Sequence, residues 1–193
     1  MINPVNFSLD YKKFPKTKPI SMPSGLNIIY GESGSGKTHL IRSLVNLNTF
    51  NNDFFKVVDL NIPESFQIVF QNPENQILSH KLLLELSFGL ESSFNDTILL
   101  QKKIKKIKSN LTFINDWDRH PSTLSGGEME MLNLVTAFSM KPELILIDDG
   151  LSFMNVDIKS TWVKWMKKEI MNQKTILWFT SDISDFVYSK SNW

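Results

Sequence analysis

Apolar residues along this chain fall into two patterns. Leu26–Tyr30, Ser65–Phe70, Leu144–Ile147 and Thr175–Phe179 are short runs with few polar breaks, as in strands buried on both faces of a parallel sheet. Between them, apolar positions recur at helical spacing: Leu40, Ile41, Leu44 and Val45; Met131, Leu134, Val135 and Phe138; Ile158, Trp162, Trp165 and Met166. This alternation predicts an α/β fold with a mostly parallel core sheet. The N-terminal stretch differs. Val5, Phe7 and Leu9 alternate ahead of Pro15, Pro19 and Pro23, which predicts an edge strand or hairpin.

The connections follow from breakers and caps. Asn46–Asn52 reads as a polar loop, and the amides around Pro73 in Gln71–Gln76 predict a turn that continues neither strand nor helix. From Ile77 to about Asn115 the pattern is helical. Lys102, Lys103, Lys105, Lys106 and Lys108 surround Ile104 and Ile107, a solvated helix face with a narrow apolar seam rather than a patch for acidic lipid headgroups. Asp157 is expected to cap the helix that follows.

A chain of 193 residues without an evident linker or internal repeat predicts one domain over 1–193. Net charge of +1 offers no electrostatic footprint for nucleic acid, which is excluded as the main partner. The absence of cysteine removes disulfides and thiol chemistry and fits a reducing compartment. Met1–Pro4 lacks the basic start of a signal peptide, and no apolar run approaches the roughly 18 residues of a membrane span. A role in a membrane process is therefore expected from the cytoplasmic face, through a membrane-embedded partner.

The candidate chemistry centres on Gly31-Glu32-Ser33-Gly34-Ser35-Gly36-Lys37-Thr38, which fits G-x-x-x-x-G-K-[ST]. A strand precedes it and a helix follows. Glycines let backbone N–H groups curl round a polyphosphate, and the helix N-terminus adds partial positive charge. Lys37 reaches the β- and γ-phosphates, and the Thr38 hydroxyl suits Mg²⁺. The chain is expected to bind a nucleoside triphosphate. Asp148 and Asp149 arrive at the carboxyl edge of the sheet, where one acid can hold Mg²⁺ and the other activate water. Gln71, ending another strand, is placed to project toward the same ligand. Ser125-Gly126-Gly127 opens a helix and forms a second potential anion site, although a plain N-cap explains Ser125 equally well. Tyr11 and Phe14 are candidates to stack on an adenine ring, with simple packing the commoner role for such aromatics.

These segments, in this order, resemble the ATP-binding-cassette (ABC) ATPases. The phosphate loop, the strand ending in Gln71, Leu124-Ser125-Gly126-Gly127-Glu128 and the strand ending in Asp148 follow family order from about Phe7 to Asp182. Val69–Gln76 and Asp118-Arg119-His120-Pro121 are similar to the energy-coupling-factor type, which energises uptake of vitamins and transition metals. The resemblance implies a P-loop fold of ABC nucleotide-binding type with a helical subdomain at about 76–125 and a reduced N-terminal antiparallel part. It also implies ATP and Mg²⁺ as cofactors, and two nucleotide-binding subunits, alike or different, closing head to tail on two ATPs. Ser125–Glu128 would then cap the nucleotide held by the partner subunit, Gln71 and Asp148 would serve Mg²⁺, and the helical subdomain would dock on a transmembrane transporter subunit.

Departures from the family pattern fall at its catalytic positions. The catalytic glutamate is Asp149, one methylene shorter, and the switch histidine is Ser181. Gly150 stands for the usual proline, Asn155 for an aspartate, and Met129 and Met131 for polar or basic residues. His39 follows Thr38, where a second hydroxyl is usual, and is a candidate for the α-phosphate; His80 and His120 read as surface or packing residues. The segment between Leu47 and Phe66 is short, and little follows Asp182, so the family's last strands are expected to be missing or reduced. A lost charge-stabilising contact typically costs about 10²–10³ in rate, so slow hydrolysis is expected. The alternative is a nucleotide-gated binding or scaffold module with vestigial hydrolysis.

Overall fold

The computed structural model describes residues 4–11, 16–45, 55–91, 96–170 and 174–188. In chain order its strands are β1 (Val5–Tyr11), β2 (Ile20–Met22), β3 (Gly25–Tyr30), β4 (Phe55–Asn61), β5 (Phe66–Val69), β6 (Leu144–Asp148) and β7 (Thr175–Thr180). Its helices are α1 (Lys37–Leu44), α2 (Leu82–Glu91), α3 (Thr97–Asn110), α4 (Gly126–Ser139) and α5 (Val156–Ile170). The apolar runs form one parallel sheet, ordered β3-β7-β6-β5.

Strands β6 and β7 are buried along their whole length, because both sheet faces are covered. Side chains alternate between the two faces. Ile145, Ile147, Ile176 and Trp178 belong to a core with residues of α2, α4 and α5; Leu144, Leu146, Leu177 and Phe179 join Val5, Phe7, Ile41 and Leu44 on the other side. Burying each such side chain contributes about 1.5–3 kcal/mol, so this double-faced sheet fixes where its carboxyl edge lies.

The N-terminal expectation needs one correction. A hairpin does form, with β1 antiparallel to β2, but β1 is no edge strand: β4 pairs on its other side, giving the order β2-β1-β4. The second partner comes from a segment far along the chain, and Pro19 and Pro23 flank β2 instead of interrupting either strand. The 46–52 loop, Phe14 and Pro15 lie outside the described residues.

Two local readings are also revised. Gln71–Gln76 does contain helix, a 3-10 turn at Pro73–Gln76, because Asn72 Oδ1 accepts from Glu74 N (3.0 Å) and proline suits a first helical position. The cap of α5 is Asn155, whose Oδ1 accepts from Ile158 N at 2.9 Å; Asp157 lies inside the first turn. The lysine-rich helix reads as expected. Ile107 is buried, Lys102, Lys105 and Lys106 are exposed, and Lys108 lies 4.9 Å from the Trp117 ring centre. No helix among the described residues is long and apolar enough to cross a membrane.

Candidate nucleotide site

The phosphate loop joins the end of β3 to α1. Gly34 (φ 79°) and Gly36 (φ 94°) adopt left-handed conformations that side-chain-bearing residues rarely tolerate. Gly36 is the N-cap of α1 and supplies no side-chain cap, and the first turn carries no acid. The orphan N–H groups of this helix start have no internal neutraliser. Glu32, Ser33 and Ser35 are exposed along the loop, and Ser35 N donates to Glu32 O at 3.0 Å.

Lys37 turns back over the loop. Its Nζ donates to Gly31 O (2.8 Å) and Glu32 O (3.2 Å) and lies 3.3 Å from Asp149 Oδ2, with both side chains largely buried. The other Asp149 oxygen accepts from Ser181 N at 2.6 Å. One carboxylate therefore ties the phosphate-loop lysine to the end of β7. Asp149 has a left-handed backbone (φ 47°), anchored by its own N–H on Phe179 O at 2.9 Å. Beside it, Asp148 is buried at the end of β6, with the Thr38 hydroxyl at the start of α1 nearby. Burial raises the Asp148 pKa; Thr38 pulls it down, Asp149 adds to the rise, and Lys37 and Arg42 oppose it.

Thus Gly31–Thr38, Asp148, Asp149 and Ser181 form one cluster. Gln71 is exposed beyond β5, which pairs directly with β6, so it shares the sheet edge with Asp148. Gly150 has a packing reason for lacking a side chain: a Cβ there would lie 2.6 Å from Ile147 Cγ2. His39 meets the Phe55 ring edge-on, centroids 5.3 Å apart, and its Nε2 is buried without a partner. Tyr11 belongs to β1, but its side chain lies outside what the structure describes. His80 and His120 are exposed, and His120 caps the turn at Pro121.

The turn at 125–128 is a second centre, and its polar groups are engaged with one another. Ser125 N donates to Glu128 Oε2 at 2.7 Å, the Ser125 hydroxyl donates to the same oxygen at 3.0 Å, and Glu128 N donates to Ser125 Oγ at 3.4 Å. This reciprocal capping box turns the hydroxyl toward the helix instead of outward. Phe153 packs on it so closely that a Cβ on Gly126 would lie 2.9 Å from the ring.

Sequence reasoning missed the groups that hold these turns. Glu130, 1% exposed, accepts from Ser152 N (3.0 Å) and Phe153 N (3.2 Å), fixing the loop after Asp149 against α4. Burial pushes its pKa up to about 7, against the pull of the Phe153, Ser152 and Leu151 N–H groups. Asn133 Nδ2 donates to Pro73 O at 2.9 Å, joining α4 to the turn after Gln71. Lys159 pairs with buried Asp185 at 2.8 Å, and Asp185 accepts from Thr180 Oγ1 at 2.6 Å, bracing the segment around Ser181. Their one sequence signal was a charge or amide on an otherwise apolar helix face, as at Glu130 and Asn133.

The ABC transporter family model matches residues 22–152, more than half of the chain, including the phosphate loop, Gln71, the turn at 125–128, Asp148 and Asp149. The chain belongs to the ABC transporter family. An energy-coupling factor transporter ATP-binding protein of Fusobacterium nucleatum is 30% identical over 203 residues, covering 97% of this chain and 75% of that protein. A Bacillus cereus protein named for ABC transporter ATP binding is 35% identical over 130 residues, covering 62% of this chain; the match spans only 24% of that longer relative. Among solved structures, cbiO1 of Clostridium perfringens, described as part of the ABC transporter complex cbiONQ, aligns with a TM-score of 0.68 at 21% identity, over 94% of this chain and 78% of that one. The fold is that of ABC nucleotide-binding domains.

Proposed function

We propose that this chain is the ATP-binding subunit that energises an importer of the energy-coupling-factor type, by ATP-dependent pairing with a second nucleotide-binding subunit, alike or different. The observation that carries this reading is the convergence of the uncapped α1 N-terminus, Lys37, Thr38, Asp148 and Asp149 at one sheet edge. Positive charge from Lys37 and the bare N–H groups suits a triphosphate, and the Thr38 hydroxyl beside the Asp148 carboxylate suits Mg²⁺. Bound ATP·Mg²⁺ would supply the phosphoryl group that is cleaved. Gln71 would join the Mg²⁺ shell, and Tyr11 and His39 would lie toward the base and α-phosphate. Ser125–Glu128 would face the partner subunit's nucleotide, and the helical subdomain at 76–125 would dock on a transmembrane subunit at the cytoplasmic face. The name of the cbiO1 complex and the energy-coupling factor relative support that assignment.

Hydrolysis at this site would be slow. Asp149 has to orient water, yet its two oxygens are engaged by Lys37 and Ser181 N–H, and Ser181 brings no imidazole. The same observation favours the second reading, a nucleotide-gated scaffold in which ATP is held and seldom cleaved. The test is ATP turnover by the purified chain, alone and with a candidate partner subunit, beside the Asp149→Glu/Ser181→His double variant. ATP with Mg²⁺ should raise the melting temperature, turnover should be low, and the double variant should be faster. Robust wild-type turnover abolished by Ser181→Ala would refute the slow site; binding without any turnover, alone or with partner, would select the scaffold.

A further inference from the structure

Phe55 opens β4, the strand that packs against α1, and stands opposite Tyr11 in the β1–β4 register. A Cβ on Gly36 would lie 3.6 Å from Phe55 Cε1, so the ring rests against the last glycine of the phosphate loop. The His39 ring meets it edge-on, centroids 5.3 Å apart and planes at 81°. Edge-to-face pairs of this kind hold both rings in place. Phe55 is only half-buried, so part of this aromatic wall still faces water. His39 Nε2 adds a buried polar atom with no partner among the described residues, which an oxygen of a bound ligand would satisfy.

The other side of α1 sets the direction of a bound triphosphate. Lys37 meets Asp149 there, and Asp149 meets the Ser181 N–H, just beyond the ends of β6 and β7. Helix α1 lies between that parallel sheet and the antiparallel one, since Ile41 and Leu44 share a core with Leu144 and Leu146 of β6 and with Val5 and Phe7 of β1. A ligand with its terminal phosphate beside Asp148 and Asp149 therefore carries its remaining part round α1, toward β4. What meets Phe55 is then the nucleoside end. A flat base suits an aromatic wall, because every base has a π-face whatever its edge pattern.

We propose that Phe55, propped by His39, is a stacking platform for the base of the bound nucleotide, a role that sequence reasoning sought at Tyr11 and Phe14. The assignment rests on the nucleotide reading and adds to it a residue of β4. The test is calorimetric titration of the full chain, in Mg²⁺, with ATP, GTP and inorganic tripolyphosphate, which has no nucleoside. Phe55→Ala should weaken ATP and GTP alike, about five- to tenfold, and leave tripolyphosphate within about twofold. Phe55→Trp keeps a ring and should retain ATP affinity. Phe55→Leu should show the alanine pattern with a smaller loss; it preserves apolar packing, so it decides the matter if the alanine chain does not fold. His39→Ala, which removes only the prop, should weaken ATP about twofold. Equal losses of ATP and tripolyphosphate would overturn the assignment, because the ring would then serve only to support the loop at Gly36. Unchanged ATP affinity in both the alanine and leucine variants would overturn it too. A wild-type chain that binds neither ATP nor tripolyphosphate would overturn the nucleotide reading itself, and the platform with it.

Discussion

Helices α1 and α4 both begin at a glycine turn, yet they treat their exposed N–H groups in opposite ways. The first is entered through a left-handed Gly36 with no side-chain cap and no acid in its first turn. The second carries a complete capping box, in which Glu128 places a full negative charge on the helix start. A helix N-terminus that leaves its donors unanswered can take an external anion; one that answers them itself has little to gain from one. Affinity for a phosphate in the isolated chain is therefore expected at α1 rather than at α4. The turn at Ser125 can contribute only where Glu128 is outcompeted or a second subunit supplies the phosphate.

The largest expected consequence is at Lys37. Hydrogen bonds to charged groups contribute about 1.5–3 kcal/mol, so Lys37→Ala should weaken ATP binding about 100-fold, read by titration of a fluorescent ATP analogue. Ser125→Ala should leave that affinity within about twofold, since the turn lies off the phosphate loop. Equal losses in the two variants would erase the contrast between the helices.

Next is Glu130, which fixes Phe153 over the α4 turn. Its pKa is raised from 4.5 to about 7, so the folded chain binds more protons than the unfolded one across that interval. Stability from this group is complete below pH 4.5 and is lost as pH rises through 7. Wild type should lose on the order of 2 kcal/mol between pH 5 and pH 8 relative to Glu130→Gln, by denaturant melts at each pH. Parallel pH profiles would show that burial does not hold the proton on Glu130.

What could be read from the residues alone divides along the same line. Local chemistry was legible: the phosphate loop, the β6 run delivering Asp148, and the periodicity of α4 each sit within one short segment. Pairings made across the chain were not. The ion pair of Lys37 with Asp149, the grip of Glu130 on the Phe153 loop and the placement of β1 between β2 and β4 depend on which surfaces the core brings together. Strand β4 was missed because its alternation of Phe55, Val57 and Leu60 with polar residues is broken near Asp59, which has a left-handed backbone (φ 52°). Asp157 was mistaken for the α5 cap because two cap-forming residues stand two apart, and a helix boundary read from sequence is uncertain by that much.

The capping box itself gives a smaller effect. Ser125→Ala removes the side-chain acceptor for Glu128 N and should cost about 1 kcal/mol in chemical denaturation. If Ser125 were held outward for a phosphate in the free chain, the same substitution would leave stability unchanged.

The smallest effect separates a cap from a charge near a cap. Helix α5 begins as α4 does, with a side chain closing the first turn, but the closing residue is a neutral amide. Asn155→Ala removes that bond and should cost about 1 kcal/mol, near the value for Ser125. Asp157→Ala removes only a favourable charge–dipole interaction, about 0.3–0.5 kcal/mol at an exposed site, and that loss should shrink in high salt while the Asn155 loss does not. Measured side by side at low and high ionic strength, the two variants show how much of a helix start is settled by geometry and how much by charge. A salt-sensitive Asn155 loss, or a larger loss at Asp157, would mean that charge dominates even where a cap is in place, and the contrast between α1 and α4 would then rest on Glu128 rather than on Ser125.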